Sequence, residues 1–279
     1  MTSTKAPKTL VLTSTKNRVT TLTMNLPARL NGWTMEMMTA LKSALRQAGS
    51  DPETSAVILT GADPYYSAGV NLGATLKFGH PRTLRALIIE LNQNLFDTFL
   101  DFPKPILAAV NGPVIGAAMT SATLCDGILA SERATFSTPF AALGVPPEGC
   151  SSVHFPRLLG AAAAARMLGA EGWKPTAAQA LEVGLVQWVA PHESLLEEAQ
   201  KIAEGWVEAG AVRGFRAGST REELKAVNAK ESVAVADAFL STPFLDGQIR
   251  FLWKKKKRRP ALMFLALRVT RPAWSLLLR

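Results

Sequence analysis

Short apolar runs alternate along this chain with longer stretches in which apolar residues recur every three or four positions. Thr9–Thr13 and Val19–Met24 are β-rich and are joined by a polar turn at Lys16-Asn17, which predicts a hairpin. Thr34–Ala48 places Met37, Leu41 and Leu45 on one helical face, with Thr34 as its N-cap. Ala56–Thr60 is a brief apolar strand ending at Gly61. Pro81–Asp101 reads as a long amphipathic helix, Ile106–Val110 as another buried strand, and Gly116–Leu124 as a helix of small residues. Gly127–Ala130 and Ala134–Phe136 are short strands about a charged turn. Beyond residue 156 the period is mostly helical, over Arg157–Leu168, Thr176–Val183, Glu193–Ala209, Thr220–Leu240 and Leu245–Lys257.

After the opening hairpin, continuous apolar strands separated by helices predict an α/β fold: a parallel sheet covered by helices, followed by a helical region. The 279 residues, 48% of them apolar and 19% charged, suffice for a large core. Two cysteines, Cys125 and Cys150, are too few for a disulfide framework, and three dispersed histidines make a metal centre an unlooked-for feature. No apolar run reaches the length of a membrane span, so none is expected. Met1–Lys8 is polar, which predicts no secretion signal and a reducing intracellular compartment.

The net charge of +9 changes meaning once it is located. Lys254–Arg279 holds nine of the 31 basic residues and no acid, leaving 22 basic and 22 acidic side chains in residues 1–253. The body is therefore no general polyanion binder, and no nucleic acid is expected for it. The expected division is one domain over 1–253, with its sheet-bearing core to about residue 195 and a helical, assembly-forming region after it, and a basic tail over 254–279. The tail reads first as an extension without fixed structure. A contact with an anionic membrane and a nuclear address are the other readings.

Three glycine-bearing segments fall at strand-to-helix junctions, where parallel α/β folds bind ligands. They are Ser67-Ala68-Gly69-Val70-Asn71-Leu72, Asn111-Gly112-Pro113-Val114-Ile115-Gly116-Ala117-Ala118, and Leu143-Gly144-Val145-Pro146-Pro147-Glu148-Gly149-Cys150-Ser151-Ser152. None has the Lys-Ser/Thr ending of a phosphate loop or a dinucleotide fingerprint. Taken together with Pro103-Lys104-Pro105-Ile106, Cys125-Asp126 and Thr138-Pro139-Phe140, they resemble the crotonase (enoyl-CoA hydratase/isomerase) superfamily from about Thr9 to Phe251. The third segment is similar to its peroxisomal Δ3,Δ2-enoyl-CoA isomerase branch.

The resemblance implies a crotonase-like ββα spiral with a C-terminal helical region, a homotrimer or hexamer, and an acyl-CoA thioester ligand. Coenzyme A would be part of the substrate, and no separate cofactor is implied. It places the oxyanion-hole N–H groups at Ala68 and Ala117. Substrate would be lined by Ser67, Gly69, Val70, Asn71, Leu72, Gly116, Thr120 and Phe140, with Arg29 and Leu30 at the adenine end. Hydratases of this family use two glutamates, where this chain has Thr120 and Phe140. Without them, water addition loses its acid and base. Glu148 remains as the single acid/base expected of a 3-enoyl-CoA to trans-2-enoyl-CoA isomerase in β-oxidation. Two other outcomes stay open: another crotonase reaction, as in a hydratase or dienoyl-CoA isomerase, or a non-catalytic acyl-CoA-binding module like the crotonase-like domains of chromodomain-Y proteins. The resemblance also suggests a peroxisome, although no Ser-Lys-Leu-type ending follows Phe251. His154, Cys150 and Asp126 read as structural. The apolar face Val233, Val235, Phe239, Leu240, Phe244 and Leu245 is expected at the assembly interface.

Overall fold

The computed structural model describes residues 9–70 and 80–278. The hairpin forms as expected, β1 (Val11–Lys16) pairing antiparallel with β2 (Val19–Met24). Every later pairing is parallel: β3 (Ala56–Gly61) on β2, β4 (Ile106–Val110) on β3, β6 (Gly127–Ser131) on β4, and β8 (Trp188–Ala190) on β6. A second, narrow row runs beside this sheet. There β5 (Val114–Ile115) pairs with β7 (Phe136–Ser137), and bridges link Ser67 to Val114 and Trp33 to Val70. Each pass of the chain thus leaves one long strand in the sheet and one short segment in the row. This is the ββα spiral the resemblance implies.

Alternation along the strands decides which helix covers which face. Leu22, Val57, Leu59, Ile106, Ala108 and Ile128 face a core with Met37, Leu41 and Leu45 of helix α1 (Met35–Ser50). Their neighbours Val19, Ile58, Leu107 and Leu129 face Leu195, Ala199 and Ala203. The last three residues lie at four-residue steps on α8 (Leu195–Glu208), which therefore buries one stripe. Thr34 caps α1 by accepting from the Met37 N–H at 3.2 Å.

Helix α2 (Pro81–Leu100) is followed by the short α3 (Ala117–Thr123) and α4 (Phe140–Leu143). The helix expected over 157–168 is two helices, α5 (Ser151–Leu159) and α6 (Ala161–Leu168). Gly160, at φ +79°, separates them, a backbone state that a hydrophobic period does not reveal. After α7 (Ala177–Glu182), the long α9 (Arg221–Phe239) packs along α2. Asn228 donates to Gln93 O and Asp97 Oδ1, and Lys225 pairs with Asp101.

Two expectations fail in the C-terminal region. Val235, Phe239, Leu240, Phe244 and Leu245 are buried within the chain itself, and of that expected assembly face Val233 alone is exposed. They form a satellite core between α2, α9 and α10 (Thr242–Lys254). Nor is the basic tail an unstructured extension. Residues Arg258–Trp274 form helix α11, whose Ala261 and Phe264 are fully buried in that satellite core. Phe264 meets Phe244 edge-on at 6.5 Å, and Phe244 stacks on Phe239 at 4.6 Å. Residues 258–278 are also long and apolar enough, by length and composition, to cross a membrane, their most apolar 18-residue stretch having a mean hydropathy of 1.3. Scanning for an unbroken apolar run missed this because Arg268 and Arg271 interrupt it.

Phe264→Ala should therefore behave as a core truncation, costing about 3–5 kcal/mol. Urea unfolding measures it, and a loss below about 1 kcal/mol, the range of surface changes, would detach α11 from the core.

Candidate active site

The third glycine segment closes over the end of the small-residue helix α3. Gly149 (φ +65°) and Cys150 (φ +67°) both turn left-handed there. A side chain at Gly149 is impossible without movement: a Cβ would lie 2.5 Å from Phe96 Cε1 and 2.6 Å from Thr120 Oγ1. Cysteine in the same backbone state is strained, and Glu231 of α9 holds it. The Glu231 carboxylate accepts the Cys150 N–H at 2.6 Å and the Ser152 N–H at 2.9 Å, capping α5 from a distant helix. Ser151 Oγ adds a bond to Glu148 O at 2.7 Å.

So fixed, Glu148 projects into a cavity of about 130 Å³ walled by Leu84, Leu87, Ile88, Leu91 and Phe239. Asn92 Nδ2 donates to Glu148 Oε2 at 2.6 Å, and Ser232 Oγ donates to Asn92 Oδ1 at 2.9 Å. Burial pushes the Glu148 carboxyl up to about 7, the Asn92 hydrogen bond opposes the rise, and the nearby negative charge of Glu231 adds to it. Sequence reasoning missed Asn92, Ser232 and Glu231. Asn92 left a signal: it is a polar residue in the row Leu84, Ile88, Asn92, Phe96, which otherwise forms the apolar stripe of α2.

Of the two N–H groups expected to be unengaged, that of Ala117 is and that of Ala68 is not. The Ala68 N–H already donates to Leu30 O at 2.9 Å, and the Gly69 N–H to Ser67 Oγ at 3.1 Å. Val70 is the residue of this loop whose N–H has no partner among the described residues, and its backbone lines the cavity. Ala117, the first residue of α3, also lines the cavity with an unpartnered N–H, while Gly116 N–H is held by Ser137 O at 2.8 Å. Gly69 lets the two segments meet, since a Cβ there would lie 2.4 Å from Ile115 O.

The remaining expected residues divide. Gly69, Gly116 and Phe140 line the cavity with Val70 and Ala68. Thr120 does not: it is buried behind Gly149, and its Oγ1 donates to Ala117 O at 3.2 Å. Ser67 is buried as well, its hydroxyl donating to Asn31 O at 2.8 Å. Arg29 and Leu30 lie in a single 3₁₀ turn outside the cavity wall, joined to it through the Leu30 O bond. Asn71 and Leu72 lie outside the described residues.

The groups read as structural are placed as such. His154 is fully buried, with Nε2 3.1 Å from Thr123 O and Nδ1 3.2 Å from Ser219 Oγ. The carbonyl can only accept, so Nε2 carries the proton, and burial lowers the ring to about 4, keeping it neutral. Burial raises the Cys150 thiol well above the ordinary range, so it is no thiolate nucleophile. Asp126 accepts from Ile106 N–H and Arg213, tying strands to the C-terminal region.

Among the described residues, the cavity thus brings together one carboxyl, the amide that holds it, two N–H groups without a partner and an apolar wall. The Enoyl-CoA hydratase/isomerase family profile matches residues 14–256, and the chain belongs to that family. It is 35% identical to Enoyl-CoA delta isomerase 2 of Rattus norvegicus over 88% of this chain and 64% of that protein, so it spans less than two thirds of that relative's length. Enoyl-CoA delta isomerase 3, peroxisomal, of Mus musculus is 31% identical over 89% of this chain and 80% of its own. The crystal structure of an enoyl-CoA hydratase/isomerase from Pseudoalteromonas atlantica T6c superposes with a TM-score of 0.75 at 30% identity, covering 88% of this chain and 97% of that one.

The raised carboxyl makes a stability prediction with a definite sign. The folded chain holds the Glu148 proton more tightly than the unfolded chain, so ionisation weakens the fold between the ordinary carboxyl range and about pH 7. Glu148→Gln should match the wild type near about pH 4 and exceed its urea midpoint at about pH 8, where the penalty is complete. Equal midpoint differences at both pH values would show that burial leaves the carboxyl unperturbed.

Proposed function

We propose that the chain isomerises 3-enoyl-CoA thioesters to the trans-2 form, with Glu148 as the only acid/base. The observation carrying this reading is the single carboxyl, raised to about 7, set into an apolar cavity and held by Asn92. Near neutral pH such a group divides between its two protonation states, so it can take a proton and return it. Glu148 breaks the C2–H bond, and the electron pair flows toward the thioester carbonyl. The double bond shifts from C3–C4 to C2–C3 as the proton is delivered to C4. The dienolate in between carries its charge on the thioester oxygen, where the Val70 and Ala117 N–H groups would meet it. Each such donor lowers a barrier of this kind by about 3–4 kcal/mol.

The reading excludes efficient hydration for a structural reason. Phe140 lines the cavity and Thr120 is withdrawn behind Gly149, so among the described residues no second carboxyl lines the cavity to activate water. The chemistry calls for no cofactor, since the coenzyme A moiety is the substrate's own. The walls Leu84, Leu87, Ile88, Leu91 and Phe239 take the acyl chain.

A turnover assay with 3-hexenoyl-CoA and crotonyl-CoA tests the reading. Isomerisation should dominate, and robust hydration without isomerisation would reverse it. Glu148→Gln should lower kcat by about 10²–10⁴-fold while analogue binding stays within a few-fold. Retention of more than about a tenth of the activity would remove Glu148 from that role.

The pH profile separates the base from its surroundings. The kcat/KM profile should rise with unit slope to a plateau above about 7, the value burial gives Glu148. Glu231→Gln withdraws a like charge while keeping an acceptor for the loop, so that limb should move to lower pH. An unmoved limb would mean that Glu231 acts on the loop's shape alone.

A further inference from the structure

Helix α11 has two apolar faces, and the fold uses only one. Ala261 and Phe264 point into the satellite core, and two of the helix's arginines bind the body: Arg268 reaches Asp246 Oδ1 at 2.9 Å and Arg271 reaches Leu240 O at 2.9 Å. On the opposite side Leu262, Leu265, Ala266, Val269 and Ala273 recur at helical spacing and are exposed, Leu262 at 53% and Val269 at 68%. No charged residue falls within that stripe. At its N-terminal end stand Lys254, Lys255, Lys256, Lys257, Arg258 and Arg259, all exposed, and no acid follows Asp246 in the sequence. Phe251 and Trp253 of α10 are exposed just before the cations, at 48% and 45%.

We infer that α11 and the Lys254–Arg259 cluster form a docking surface for an anionic phospholipid bilayer, with the helix lying flat at the headgroup level. The arrangement has both parts that such binding requires: an uncharged apolar face to enter the acyl boundary, and adjoining cations to meet lipid phosphates. Lysine and arginine stems can lie along the apolar boundary while their heads stay among the headgroups. A flat pose rather than a span follows from Phe264 and the two arginines, which hold the helix's inner face against the body. A second copy of the chain is the weaker occupant on charge grounds. It would bring the same nine excess cations, and its remaining residues have no net negative charge to offer them. Helix α11 lies beyond the family match, which ends at residue 256 and so takes in only the first three lysines of the cluster. The inference is independent of the reaction assigned above.

Sedimentation of the full chain with vesicles tests it, using phosphatidylcholine alone and phosphatidylcholine mixed with phosphatidylserine. The chain should partition onto the mixed vesicles and be released by salt. Replacing the six cations by Gln should weaken this partitioning on the order of 100-fold or more. Leu262→Ser with Leu265→Ser and Val269→Ser should weaken it on the order of 10-fold or more, with thermal midpoint and isomerase turnover unchanged because these side chains face outward. Equal partitioning onto both vesicle types, or none onto either, overturns the inference. So does a serine variant that binds vesicles normally but has a smaller sedimentation-equilibrium mass, which would make the face a contact between copies.

Discussion

Burying the Glu231 carboxylate beneath α9 carries a desolvation cost, offset because the Cys150 and Ser152 N–H groups point straight at it. That exchange fixes the left-handed pair Gly149-Cys150, and the left-handed pair aims Glu148 into the cavity. The same helix supplies Ser232, which orients Asn92, which holds Glu148. Loop, base and holder therefore depend on one packing relation, that of α9 along α2. Lys225 with Asp101 and Arg85 with Asp237 reinforce it from the surface, where such pairs add little each.

Electrostatics and geometry work against each other at Glu148, and the balance sets the chemistry. Desolvation favours the neutral carboxyl, as does the charge of Glu231, while the Asn92 amide favours the ion. A carboxyl in water at neutral pH would be a weak base that is almost never protonated. One held near 7 has comparable amounts of both forms and can serve a step that removes a proton and another that returns it. His154, six residues further on, undergoes the opposite shift from the same cause, because burial always penalises the charged form. Its two ring nitrogens are taken up by Thr123 O and Ser219, which leaves it no proton to exchange.

Much of this was legible in the sequence because it is local or periodic. Apolar runs located β2, β3, β4 and β6, and the Thr34 cap located α1. The Pro-Pro-Glu-Gly run marked the carboxyl that the structure sets into the cavity. What the sequence hid was long-range. Glu231 lies more than eighty residues from Glu148 and reads in a pattern as one more polar position on a helix. The choice between Ala68 and Val70 as donor depends on Leu30, whose carbonyl turns back to the loop through a left-handed residue. The short β8 and the break at Gly160 depend on partners and backbone signs that a hydrophobic period does not encode.

The tail shows how composition misleads when it is read without geometry. A basic run followed by leucines interrupted by arginines looks like an unstructured extension. Folded, Arg268 and Arg271 turn to an acid and a carbonyl of the body, and the outward stripe from Leu262 to Ala273 carries no charge. The satellite core beneath it contains Leu84, Ile88, Val235 and Phe239, which are also walls of the Glu148 cavity. Phe264 thus supports from behind side chains that line the cavity in front. Close-packed interiors transmit volume changes across a few side chains, so the cavity's shape and the seating of α11 belong to one packing problem.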